Sequence, residues 1–216
     1  MKKEKIMNNK INVSAIILVT VIIAVVGLLI WSGSKNKIGA PAADENNHSI
    51  AANTSSAPPN NLINKPAPNF ALADKDGKIY SLNELRGKNI ILFFNEGLMC
   101  YPACWNQIAA LAKDERFKNA DTVVFSVVVD SPKEWRKAVD KMPELAEAIV
   151  LFDNNKTASK QFNVLTTESS MHYGSFPGHT YIIIDKEGIV RYVFDDPNMA
   201  IRNDQLAAEL NKISQN

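Results

Sequence analysis

One stretch constrains the fold of this chain more than any other. Residues 90–105 read IILFFNEGLMCYPACW and hold both cysteines of the protein, Cys100 and Cys104. The apolar run Ile90-Ile91-Leu92-Phe93-Phe94 predicts a buried strand, and the segment from Trp105 to Phe117 predicts a helix. A strand that ends in two thiols at the head of a helix needs a layered α/β fold, because the strand is apolar on both faces. Pro102 suits the first helical position, where a missing N–H costs nothing. That puts Cys100 just before the helix and Cys104 in its first turn. Unpaired helix N–H groups and the positive end of the helix dipole there favour thiolate over thiol. Residues four apart on a regular helix have Cβ atoms about 5–6 Å apart, whereas a disulfide wants about 3.5–4.5 Å. A Cys100–Cys104 bridge is therefore expected only if Cys100 lies off the helix. A static bridge is the plain alternative, but one closing so short a loop removes little chain entropy.

The flanking sequence extends the same architecture. Pro66–Phe70 introduces a first short strand, and Asp76-Gly77 marks a hairpin before Lys78-Ile79-Tyr80. Ser81 and Glu84 have capping-box spacing, which predicts a short helix ended by Gly87. Thr122–Val129 is apolar and β-branched and reads as a central parallel strand. Ser131-Pro132-Lys133-Glu134 opens a helix that runs to about Lys141. Ala148–Phe152 is the next strand and Lys156–Phe162 a short helix. Tyr181–Ile184 and Ile189–Phe194 form a hairpin about Asp185–Gly188, and Asn203–Ile213 closes the domain as an amphipathic helix. This order predicts an α/β fold with a mixed central sheet flanked by helices. There is no internal repeat.

The N-terminal third differs in composition. Residues 13–31, VSAIILVTVIIAVVGLLIW, carry no charge, and that length matches one membrane-spanning helix. Residues 1–12 contain Lys2, Lys3, Lys5 and Lys10, an excess that places the N-terminus in the cytoplasm and the remainder outside. A cleaved signal peptide has a shorter apolar core, about 7–15 residues. Residues 32–64 are rich in Ala, Asn, Ser and Pro and read as a flexible linker; His48 lies within it. The folded domain is expected over residues 65–216. Extracytoplasmic placement permits disulfides. The net charge of +1 provides no electrostatic case for nucleic acid.

At its cysteine segment the chain resembles the thioredoxin-fold superfamily, and within it the peroxiredoxin-like redoxins of the alkyl-hydroperoxide-reductase and thiol-specific-antioxidant group. The resemblance is carried by Ala67–Leu72, Gly87–Phe94, the cysteine segment and Pro177–Gly188, which together span residues 65–216. It implies a thiol oxidoreductase that needs no cofactor. Cys100 attacks a peroxide or a protein disulfide, Cys104 resolves the intermediate, and a reducing partner thiol protein restores the pair. The peroxidatic motif of the family, Pro-x-x-x-Thr-x-x-Cys, is incomplete at both cysteines. Its threonine position falls on Gly97 counting from Cys100 and on Tyr101 counting from Cys104.

The resemblance also implies that His179, at a strand entrance, stands beside Cys100 as acid, base or thiolate partner, with a hydrogen-bonded structural histidine as the alternative. Cys-x-x-x-Cys is similar too to the Sco-type copper chaperones, which implies an alternative copper site of Cys100, Cys104 and His179. Glu96, four residues before Cys100, is a candidate for proton exchange with the resolving thiol, with a solvated loop residue as the alternative. Met99, Met171 and His172 are soft-metal candidates, though Met more often fills core gaps. Trp105 reads as packing, and Tyr173-Gly174-Ser175 as a loop near the site.

Overall fold

The structure, a computed structural model, describes residues 58–214. The expected cytoplasmic tail (1–12), membrane span (13–31) and most of the linker (32–64) lie outside the described residues. Among the described residues, no helix is long and apolar enough to cross a membrane.

Seven strands make one mixed sheet: β1 (Ala71–Ala73), β2 (Ile79–Ser81), β3 (Asn89–Phe94), β4 (Thr122–Val128), β5 (Val150–Phe152), β6 (Thr180–Ile184) and β7 (Val190–Asp195). Their order is β2-β1-β5-β4-β3-β6-β7. The β3–β4 and β4–β5 pairs are parallel, and the remaining pairs are antiparallel. The helices are α1 (Ala103–Lys113), α2 (Pro132–Lys141), α3 (Thr157–Gln161) and α4 (Asn203–Ser214). The thioredoxin-like α/β expectation stands for this part of the chain.

The alternation of β3 explains the layering. Ile91 and Phe93 face a core with Trp105, Ile108 and Leu111 of α1, Trp135 and Ala138 of α2, and Leu206 and Leu210 of α4. Ile90, Leu92 and Phe94 face the opposite core with Phe70, Phe125, Leu151, Ala158 and Phe162. A period of two sends neighbours to opposite faces, and all six β3 residues are buried. Each such side chain removed from water stabilises the fold by about 1.5–3 kcal/mol. Ser131 accepts from the Glu134 amide and Glu134 reaches back to Ser131, a capping box at the expected helix start.

Two expectations are corrected. Residues 82–87 form consecutive turns rather than a helix. Ser81 is spent in β2, paired with Ala71, so it does not cap a helix. The short i→i+3 bonds Leu85 N–H to Leu82 and Lys88 N–H to Leu85 replace helical ones. The expected linker also ends before residue 64. Pro59–Leu62 forms a 3-10 turn, and the Asn64 amide donates to the Val190 carbonyl at 2.8 Å. The folded unit therefore begins ahead of Lys65.

Candidate active site

Chain direction at the end of β3 is set by Asn95. Its Oδ1 accepts from the Gly97 amide at 2.9 Å, while its Nδ2 donates to the Phe93 carbonyl at 3.2 Å. This side-chain turn bends the backbone off the strand. Gly97 follows with φ +58, and a Cβ there would lie 1.8 Å from Asp130 Oδ2. Only glycine fits that corner. Residues Gly97–Cys100 then form a 3-10 turn. It is pinned by Leu98 N–H to Asp130 Oδ2 (3.1 Å) and by the Trp105 indole N–H to the Gly97 carbonyl (3.0 Å). Burial pushes the Asp130 carboxyl up, and the Leu98 amide opposes that shift.

Pro102 is the N-cap of α1 rather than its first residue. Cys104 therefore sits in the first turn and Cys100 lies off the helix. The two sulfurs form a disulfide with a Cα–Cα distance of 5.4 Å. Both cysteines are covered in this oxidised form, at 2% and 1% exposure. Met99, Tyr101 and Pro102 beside them are exposed. Part of the cover is Met199, whose Sδ lies 3.9 Å from Cys100 Sγ. Met199 projects from the loop after β7, at φ +48. That loop is held by Asp196, which accepts from the Asn198 and Ala200 amides and pairs with Arg202.

His179 reaches the pair through sheet register. Thr180 pairs with Phe94 across the antiparallel β3–β6 ladder, so His179 stands just past the end of β3. Its Nδ1 is 3.4 Å from the sulfur of Cys104, not Cys100. Its Nε2 is 2.8 Å from the Tyr181 hydroxyl. The ring packs edge-on against Phe93 at 4.6 Å. Burial pushes its pKa down to about 4 against the opposing pull of Asp196, so the imidazole is neutral near pH 7. Burial likewise holds the Tyr181 phenol well above its ordinary value.

Glu96 is buried but does not serve the sulfurs. Its Oε1 accepts from the His172 amide (2.9 Å) and the Ser170 hydroxyl (3.1 Å), and its Oε2 contacts His172 Nδ1 at 2.8 Å. The carboxylate ties the 170–172 loop to the strand end. That tie replaces the expected proton exchange with a thiol. His172 is thereby occupied, and Met99 and Met171 point to solvent at 54% and 56% exposure. Trp105 packs between Tyr101 and Trp135, as expected. Tyr173, Gly174 and Ser175 are exposed. His48 lies outside the described residues.

Sequence reasoning missed Tyr181, Met199 and Asp130. Tyr181 was accessible to it, since a residue two beyond His179 on a strand shares its face. The donor atoms of Cys100, Cys104 and His179 lie within 4.8 Å of one another, but a disulfide offers no thiolate to a metal. A wide cleft of about 1090 Å³ lies at the opposite end of the sheet among Arg116, Asp121, Lys186 and Arg191. No cysteine lines it.

Comparison with known proteins agrees with this geometry. A family model described as the AhpC/TSA family matches residues 63–193. A chloroplastic peroxiredoxin Q from Triticum aestivum is 31% identical over 135 residues, covering 60% of this chain and 57% of the relative. The chain thus spans less than two thirds of that relative's length. The mitochondrial 2-Cys peroxiredoxin of Plasmodium falciparum superposes with a TM-score of 0.59 at 26% identity, over 71% of this chain and 95% of that one. A reduced 2-Cys peroxiredoxin of Plasmodium vivax gives 0.58 at 24% identity, over 71% and 97%. These likenesses lend the copper-chaperone alternative no support. With the model match covering more than half of its length, the chain belongs to the AhpC/TSA family of thioredoxin-fold, peroxiredoxin-like redoxins.

Proposed function

We propose that this protein is a thiol-dependent oxidoreductase that cycles Cys100 and Cys104 between dithiol and disulfide. The observation that carries this reading is the Cys100–Cys104 bridge at the head of α1 with a neutral His179 against it. In the oxidising half-cycle one thiolate attacks a peroxide oxygen, forming a sulfenic acid and releasing the alcohol or water. The second thiol then displaces hydroxide, which leaves as water, and the disulfide forms. A protein disulfide serves equally as oxidant, leaving as two thiols. A partner dithiol protein reduces the bridge by exchange and is itself oxidised. No organic cofactor enters these steps. The covered sulfurs require the Met199 loop or the 97–101 segment to open before a protein partner reaches them.

The reading includes a place in the cell. The charge-free run at residues 13–31 and the lysines before it favour a single-pass anchor with the thiol domain outside the cytoplasm. Residues 32–57 would then serve as the tether. The test is turnover by reduced full-length protein, with hydrogen peroxide or oxidised insulin as oxidant and thioredoxin as donor. Turnover that disappears in both Cys100→Ala and Cys104→Ala is the expected result. Wild-type rates in the double variant would refute the reading.

A further inference from the structure

The sulfur that His179 contacts belongs to Cys104, and this reverses the roles that residue order alone suggests. From the geometry we infer that Cys104 is the attacking thiol, that His179 Nδ1 takes its proton, and that Tyr181 is the positioning residue for that ring. The inference rests on the thiol-oxidoreductase reading above.

Three observations carry it. First, Cys104 is in the first turn of α1, where the helix N–H groups and dipole favour a thiolate. Cys100 is in the preceding 3-10 turn, and its sulfur faces the thioether of Met199, which takes no proton. Second, His179 Nδ1 is within hydrogen-bond reach of Cys104 Sγ. Third, the tautomer follows from Tyr181. Its hydroxyl has two neighbours, His179 Nε2 at 2.8 Å and the Ala200 carbonyl at 3.5 Å. The Ala200 backbone also hydrogen-bonds the His179 ring, and a carbonyl only accepts, so a proton on Nε2, shared with Ala200 and the phenolic oxygen, satisfies these groups. That leaves the Nδ1 lone pair directed at Cys104. The charged groups that bear on the ring are Asp196 and Asp195 at the end of β7 and Arg202 ahead of α4. The two carboxylates favour the transient imidazolium, and Arg202 opposes it.

The steps balance. Cys104 Sγ–H passes its proton to Nδ1 as the sulfur attacks the substrate oxygen, and the O–O bond breaks. The imidazolium returns that proton to the departing alkoxide or hydroxide. Cys104 is left as the sulfenic acid. The Cys100 thiol then attacks the Cys104 sulfur, its proton leaves with the hydroxide as water, and the bridge seen here forms. Tyr181 does not touch the reacting atoms. Its oxygen stabilises the Nε2–H of the imidazolium and holds the ring edge-on to Phe93.

The experiment uses reduced full-length Cys100→Ser and Cys104→Ser, treated with one equivalent of hydrogen peroxide in the presence of dimedone and read by mass spectrometry. The expected result is a dimedone adduct on Cys104 in Cys100→Ser, formed at least about tenfold faster than any adduct on Cys100 in Cys104→Ser, the ratio for one unit of pKa. A faster adduct on Cys100, with wild-type turnover intact, overturns the assignment and leaves the oxidoreductase reading standing. No adduct on either variant, with no wild-type turnover, overturns both.

Tyr181→Phe, added to Cys100→Ser, keeps the stack on Phe93, whose centroid is 4.7 Å away. It should move the acid limb of the pH–rate profile of Cys104 adduct formation downward by about one unit, because the imidazolium loses one hydrogen bond and its pKa falls. An unmoved profile shows Tyr181 to be packing alone. Nitrogen NMR of the His179 ring in the wild-type protein supplies a readout independent of that variant. An unprotonated Nδ1 at pH 7 supports the inference, and a protonated Nδ1 overturns it.

Discussion

Replacing His179 with glutamine should remove a specific part of the acid sensitivity of the fold. The imidazole is buried at 1% exposure, and burial lowers its pKa from 6.5 to about 4. A base with a depressed folded-state pKa gives stability that is whole above its unfolded value. That stability is lost as pH falls from 6.5 toward 4, because the unfolded chain takes up the proton first. Two and a half units at about 1.4 kcal/mol each amount to roughly 3.5 kcal/mol, of which about 3 kcal/mol is lost by pH 4. The window is separable from carboxylate effects. Asp114 is held near 2 by Arg116, and Asp196 is kept below 3.8 by Arg202 against its own burial, so their losses begin lower. The assay is urea unfolding of the disulfide-intact protein at intervals from pH 7.5 to 4. Wild type should lose about 3 kcal/mol more than His179→Gln over that range, and the difference should vanish above pH 7. Parallel curves for the two proteins would refute the burial argument and, with it, the neutral imidazole beside Cys104.

Three further outcomes follow from the site. Gly97→Ala forces a left-handed residue and drives a Cβ against Asp130, so it should cost about 2–4 kcal/mol by urea unfolding, and adding Asp130→Gly should recover part of that loss. Met199→Ala uncovers Cys100, and losing about 1–2 kcal/mol of apolar cover should speed reduction of the bridge by a water-soluble phosphine roughly five- to thirtyfold. Glu96→Gln weakens the tie to Ser170 and His172. It should raise hydrogen exchange across residues 168–176 at least about tenfold, the effect of about 1.4 kcal/mol, while exchange in β4 stays at the wild-type rate.

Much of the frame was legible because it is local. The run Ile90–Phe94 has no polar residue and could only be buried on both faces, and Ser131-Pro132, with proline at the first helical position, announced α2. Pro102 was placed within one residue because its missing N–H restricts where it can sit. What failed depended on partners distant in sequence. Ser81 and Glu84 carry a helix-start pattern, yet strand pairing with Ala71 claimed Ser81 first. Nothing near His179 reveals that Thr180 pairs with Phe94, and that register decides which sulfur the imidazole meets. Glu96 looked like a proton carrier by its spacing from Cys100, but its partners arrive from residues 170 and 172. Met199 and Asp130 enter the site from loops after β7 and β4 and have no local signature. The fold thus followed from periodicity, whereas the chemistry followed from register and loop closure.

The most direct measurement is the reduction potential of the Cys100–Cys104 pair, taken by equilibrating the full-length protein in graded dithiothreitol buffers and counting alkylated thiols. A reversible two-electron transition between roughly −120 and −270 mV, the span of dithiol exchangers, is the predicted result. A bridge that stays closed below about −300 mV, as structural disulfides do, would contradict the account.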